Sequence, residues 1–233
     1  MKDKDINVRD FFCPDLYVGE LFEEGYKGCR ILVIGHQAPA TDGEEDKFKN
    51  DRAQFEKDYK NNNIELVKDD ILKEKYKTWK KEERRRTNTW QKFINIIYYP
   101  NKPALDSYDA KNLLKRIAFA NYLTKPCFNE SRMGIDNYAF YTNDQRAFKY
   151  YIDEAFKNND KPNIIIVWGK PYQHIQKLSE EIINEQEKHC VLHNTNNAII
   201  HVIGMYHPMC ANQKETNIKI YNLITLLKEL NVL

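Results

Sequence analysis

No stretch of this chain approaches the roughly 20 consecutive apolar residues that a membrane-spanning helix needs, and 30% of its residues are charged. Both features argue against a helical membrane protein. The opening Met1-Lys2-Asp3-Lys4-Asp5 lacks the apolar core of a signal peptide, so a cytoplasmic location is expected. The five cysteines (Cys13, Cys29, Cys127, Cys190 and Cys210) are odd in number and form no CxxC pair. A disulfide framework and a zinc knuckle are therefore not expected, and the spacing gives no support to an iron–sulfur cluster. There is no Gly-rich phosphate loop, no nucleophile elbow and no zinc-binding helix motif. Neither a metal nor a cofactor is expected. No internal repeat and no Gly/Ser linker divides the 233 residues, so a single domain over 1–233 is expected.

What is present is enough apolar material for a core, at 42% of residues, and an uneven distribution of charge. The chain as a whole carries +2, whereas the segment from Lys73 to Lys92 carries nine basic and three acidic residues, a local net of +6. Within it, Lys80, Lys81, Arg84, Arg85 and Arg86 are interleaved with Tyr76, Trp79 and Trp90. Cations mixed with aromatics suit a surface that tracks phosphates and stacks bases. The same pattern also fits a solvated helix face laced with Glu–Lys pairs. The charged stretch at about 42–89 reads as a helical insertion, which turns amphipathic around Trp90, Phe93, Ile94, Ile96 and Ile97.

Three apolar, β-branched runs read as strands buried on both faces: Arg30 to Gly35, Asn163 to Gly169 and Ala198 to Gly204. Each closes on a glycine, as expected where backbone turns sharply or approaches a ligand. Thr142-Asn143-Asp144-Gln145 resembles a capping box and opens a helix with Phe148, Tyr151, Ile152, Ala155 and Phe156 on one face. Pro171 opens another, with Ile175, Leu178 and Ile182 facing inward, and a last helix is expected from about Asn212. The alternation predicts an α/β fold with a parallel sheet.

Ligands of open parallel sheets bind beyond the carboxyl ends of the strands. Two loops there carry a His close to a Pro: Gly35-His36-Gln37-Ala38-Pro39, and Tyr206-His207-Pro208. Each Pro stiffens its loop and restrains the neighbouring imidazole. Turn chemistry alone also explains a His-Pro pair. A third segment, Ile117 to Leu123, is apolar apart from Asn121, whose amide needs partners if buried. Those partners are either backbone groups or the edge of a bound base.

In their order and spacing these segments resemble the uracil-DNA glycosylase superfamily. The likeness runs from Ile31–Pro39 through Phe119-Ala120-Asn121-Tyr122-Leu123 and Pro162–Lys170 to His207-Pro208, with Leu16-Tyr17-Val18-Gly19-Glu20 ahead of the first strand. It covers nearly the whole chain outside the charged segment. The resemblance implies a three-layer αβα sandwich around a central, mostly parallel four-stranded sheet. It implies hydrolysis of the N-glycosidic bond of a uracil-like or modified base flipped out of DNA, with DNA as partner. By match, His207 stabilises the departing base as an anion and Asn121 reads its edge, joined by Gln37. Phe48 and Tyr122 are the aromatic residues available for stacking. Where active members of that family carry Asp or Glu in the first loop, this chain has His36 and Gln37, and Met209 follows His207-Pro208 in place of the usual Ser. Water activation then falls to His36 or to the carboxylates that follow, of which Asp42 is the first. Two other readings stay open: a catalytically inactive nucleic-acid or nucleotide-binding protein on the same fold, and an unrelated α/β hydrolase using His36 or His207.

Overall fold

Ile31, Leu32, Val33 and Ile34 are fully removed from solvent. A strand without an exposed face has to lie inside a sheet covered on both sides. The computed structural model of the chain describes residues 16–26, 28–35, 93, 97, 113–122, 142–156, 161–185, 188–208 and 225. In chain order the elements are β1 (Tyr17–Val18), β2 (Ile31–Gly35), β3 (Ile117–Asn121), α1 (Thr142–Asp153), β4 (Ile164–Trp168), α2 (Pro171–Gln176), β5 (Glu181–Asn184), β6 (His189–His193) and β7 (Ile199–Met205). Among the described residues no helix is long and apolar enough to cross a membrane.

The strands form one mixed sheet in the order β1-β3-β2-β4-β7-β6-β5. The fold is α/β, as the alternation predicts, but the sheet has seven strands rather than four. Its middle is parallel: β2 lies between β3 and β4, and β4 pairs in turn with β7. Antiparallel strands extend both edges, β1 beside β3 and the β6–β5 pair beside β7. The extension past β7 is local in origin. His193 and Ile199 pair across a short turn in which Asn194 Oδ1 accepts the backbone N–H groups of Asn196 (2.9 Å) and Ala198 (3.0 Å). An Asx turn of this kind returns the chain antiparallel, which needs no crossover.

Alternation along the strands sorts the core into two clusters on opposite faces of the sheet. One holds Ile31, Val33, Ile117, Phe119, Ile164, Ile166, Trp168, Ile203 and Met205, covered by Phe93, Ile97, Leu113 and Leu114. The other holds Leu32, Ile34, Ala118, Ala120, Ile165, Val167, Ile200 and Val202, covered by α1 through Phe148, Tyr151 and Ile152 and by α2 through Tyr172 and Ile175. The apolar face expected of α1 is thus the buried one. Phe93 and Ile97, one helical turn apart, are buried as an amphipathic segment requires. The charged insertion ahead of them lies outside the described residues, as does the helix expected from Asn212 apart from Thr225, which is helical.

Two expectations are corrected. The helix opened by Pro171 stops at Gln176, and Ile182 lies on β5 with 51% of its surface exposed. The 175, 178, 182 spacing imitates a helix, but pairing of β5 with β6 supplies the backbone partners instead. The last strand does not end at Gly204 but runs on through Met205. Gly204 answers to space rather than to a turn. A Cβ there would lie 2.5 Å from Cγ of the buried Tyr172 and 3.0 Å from Cβ of Lys188.

Candidate functional site

The parallel register brings four strand ends together. Gly35 of β2 pairs with Asn121 of β3, and Trp168 of β4 pairs with Met205 of β7. Backbone bonds tie the exits: Tyr122 N–H donates to Gly35 O at 3.0 Å, and Gly169 N–H donates to Met205 O at 2.7 Å. Gly169 has φ +78°, a left-handed turn that glycine adopts without a steric penalty, and it carries the chain from β4 into α2.

Glycine at 35 makes room for other side chains. A Cβ at that position would lie 2.6 Å from Asn121 Oδ1 and 2.9 Å from Phe119 Cζ. The Asn121 amide and the tip of the Phe119 ring therefore converge over bare backbone. From there a row of rings continues along the same face. Phe119 lies 5.6 Å from Trp168, Phe93 lies 5.2 Å from Trp168, and Trp168 meets His207 edge to face at 5.7 Å and 81°. Asn121 and His207 are both half-buried. They stand on one face at the carboxyl ends, with the Phe119 and Trp168 rings between them. An amide offers two donors and an acceptor and an imidazole offers a further donor or acceptor, while the Phe119 and Trp168 rings between them are buried and hold the two in place as core. The amide and the imidazole, both partly exposed, are chemically suited to the polar edge of a heterocycle.

Of the two aromatics expected to stack, Tyr122 is the one described, and it points to the opposite face. It is 1% exposed and packs 5.9 Å from Phe148 of α1, so its ring has no open side for stacking. Burial, then the nearby Asp144 carboxylate, pushes its phenol above the ordinary tyrosine range. His36, Gln37, Asp42, Phe48, Lys80, Lys81, Arg84, Arg85 and Arg86 lie outside the described residues. Phe119 and Trp168 were not singled out from sequence as site residues. The signal was there in their positions, two residues before Asn121 and last in the β4 run, on the same alternation as the amide.

A second polar pair lies elsewhere. His189 Nε2 and His201 Nδ1 are hydrogen-bonded at 3.1 Å. His201 pairs with Ile164 at the amino end of β4, so this dyad is at the far end of the strands from His207. Burial lowers the affinity of both imidazoles for a proton, and for His201 the neighbouring His189 lowers it further. Among the described residues no group of three or more His, Cys, Asp or Glu side chains is placed to hold a metal ion. Cys29 and Cys190 are buried thiols.

Gly35→Ala is expected to unseat the Asn121 amide and the Phe119 ring, at a cost of about 1–3 kcal/mol for forced overpacking. Urea unfolding measures the loss, and the Asn121 side-chain amide resonances report the displacement. A variant with wild-type stability and unmoved resonances would show that the convergence over Gly35 does not occur.

Comparison of the chain with family models, with curated proteins and with solved structures gave no match.

Proposed function

We propose that this chain is a DNA glycosylase-like protein of three-layer αβα type that hydrolyses the N-glycosidic bond of a uracil-like or modified base extruded from DNA. The observation that carries this reading is the placing of Asn121 over Gly35 and of His207 beyond β7 on one face, with Phe119 and Trp168 between them. Asn121 reads the base edge through its amide. The C1′–N bond breaks with its electron pair going to the base, and His207 donates a hydrogen bond to the resulting anion. A fixed donor aimed at developing charge is often the largest single contribution to such a reaction. Water adds to C1′ and gives up a proton, with His36 or Asp42 as its acceptor, while Gln37 and Phe48 complete the base pocket. Lys80, Lys81, Arg84, Arg85 and Arg86 hold the DNA through its phosphates.

The test is a panel of oligonucleotides carrying uracil, hypoxanthine or modified pyrimidines, scored for abasic sites. At least one is expected to lose its base, and His207→Ala is expected to slow that loss by about 100-fold or more. No abasic product from any of them at enzyme excess would overturn the reaction. One observation favours a second reading, a binding protein without catalysis: His36 and Gln37 occupy the first loop where a carboxylate would serve. Salt-dependent DNA binding with every base retained would support it.

A further inference from the structure

We infer that Lys188 and Tyr206 form a subsite for a single-stranded stretch of DNA beside His207, the tyrosine ring stacking on a base and the ammonium meeting a phosphate. The choice of DNA as ligand rests on the function proposed above; the existence of a preformed cation–aromatic site rests on the geometry. Tyr206 leaves 54% of its surface exposed, although Met205 before it is buried and Pro208 just beyond is buried too. The Lys188 Nζ sits 4.4 Å from the centre of its ring. A large ring standing out of a buried neighbourhood, with a cation against it, is the pairing that single-strand binding surfaces use.

Three features hold the lysine in that position. Its backbone has φ +53°, a left-handed conformation uncommon for a residue with a side chain. Its carbonyl accepts the Gly204 N–H at 2.8 Å, which fixes the turn before β6 to the last part of β7. Its Cβ lies 3.0 Å from where a side chain on residue 204 would begin, so only glycine there lets the turn come so close. The local strain and the glycine inside a strand share one result: Lys188 is carried over Tyr206, at the carboxyl edge where His207 stands. Strained backbone of this kind persists where surrounding contacts impose it, and it gathers at ligand-binding positions.

The probe is a fluorescein-labelled thymidylate octamer followed by anisotropy over a series of salt concentrations, with unlabelled thymidine monophosphate as competitor. The wild-type chain is expected to bind the octamer, and the monophosphate to compete far more weakly. Tyr206→Ala is expected to weaken binding by about 5- to 100-fold, the weight of one base stack, and Tyr206→Phe to retain it. Lys188→Gln is expected to reduce the slope of log affinity against log salt by about 0.7, the share of one phosphate contact. Circular dichroism melts of the variants check the fold. Failure of the wild-type chain to bind the octamer would overturn the subsite, as would Tyr206→Ala binding with unchanged affinity and slope. Equal competition by the monophosphate would overturn the single-strand assignment. Base release does not enter this readout. An octamer held through Tyr206 in a protein that excises nothing overturns the reaction alone, and excision with octamer affinity indifferent to Tyr206 overturns the subsite alone.

Discussion

Lowering the pH from about 7 to about 4 is expected to remove several kcal/mol of stability from this protein, with the loss beginning near the ordinary histidine value of about 6.5. Three imidazoles drive it, His174 and His189 buried and His201 half-buried. Burial, with the Lys177 charge second, holds His174 down to about 4. His189 and His201 are lowered chiefly by burial as well. His174 lies in the last turn of α2, where the helix dipole favours a cation. With only six residues in the helix and the side chain 8% exposed, desolvation prevails. In the unfolded chain each histidine takes up a proton near its ordinary value, whereas in the folded chain it stays neutral until a lower pH. The unfolded state therefore binds more protons in that window. The stabilisation is complete above it and drains as pH falls toward the folded values. His174 alone accounts for about 3 kcal/mol. Urea midpoints at successive pH values measure the slope, and His174→Gln should flatten it. A wild-type profile level from neutral to about pH 4 would show that the imidazoles charge without cost.

Trp168→Ala is the substitution expected to cost most, about 3–5 kcal/mol. The indole is 3% exposed and touches three rings, Phe93, Phe119 and His207. Its loss leaves a cavity bounded by strand residues that cannot close over it, because their register is fixed on both sides of β4. The functional consequence is separate from the stability loss. Without the indole edge the His207 ring is no longer oriented relative to Asn121, so the imidazole resonances should broaden or shift. Trp168→Phe should recover part of both. An alanine variant within 1 kcal/mol of wild type, a figure well below the usual cost of emptying such a site, would mean that the ring row is not packed as described.

The parallel middle of the sheet was legible because β2, β4 and β7 are runs of β-branched residues with no polar alternation, which only a doubly covered strand tolerates. β5 and β6 were not. Glu181-Ile182-Ile183-Asn184 continues the spacing of Ile175 and Leu178, and a four-residue strand is too short to break that pattern. His189 to His193 carries polar residues at both ends and reads as a connection until its partner β7 is known. At the candidate site, Asn121 and His207 are legible because a polar residue at a strand end stands out against its run. Phe119 and Trp168 give no separate signal, because a ring inside an apolar run reads simply as core, which is where both lie. Tyr122, a candidate for stacking, lies on the opposite face from Asn121, as period-two alternation between the two residues implies.

β5 has one further consequence. Among the described residues it is the last strand on one side of the sheet, and both of its central side chains, Ile182 and Ile183, are about half exposed, at 51% and 49%. A terminal strand with apolar side chains on both faces is a template for uncontrolled strand addition. The sequence guards it with charge: Glu180 and Glu181 precede the isoleucines, Glu185 follows them, and all three are exposed. In an antiparallel pairing of two β5 strands centred on the isoleucines, Glu180 of each copy falls opposite Glu185 of the other. Like charges set across a strand pair oppose association. The opposition these charges offer to such pairing weakens as added salt shortens their reach.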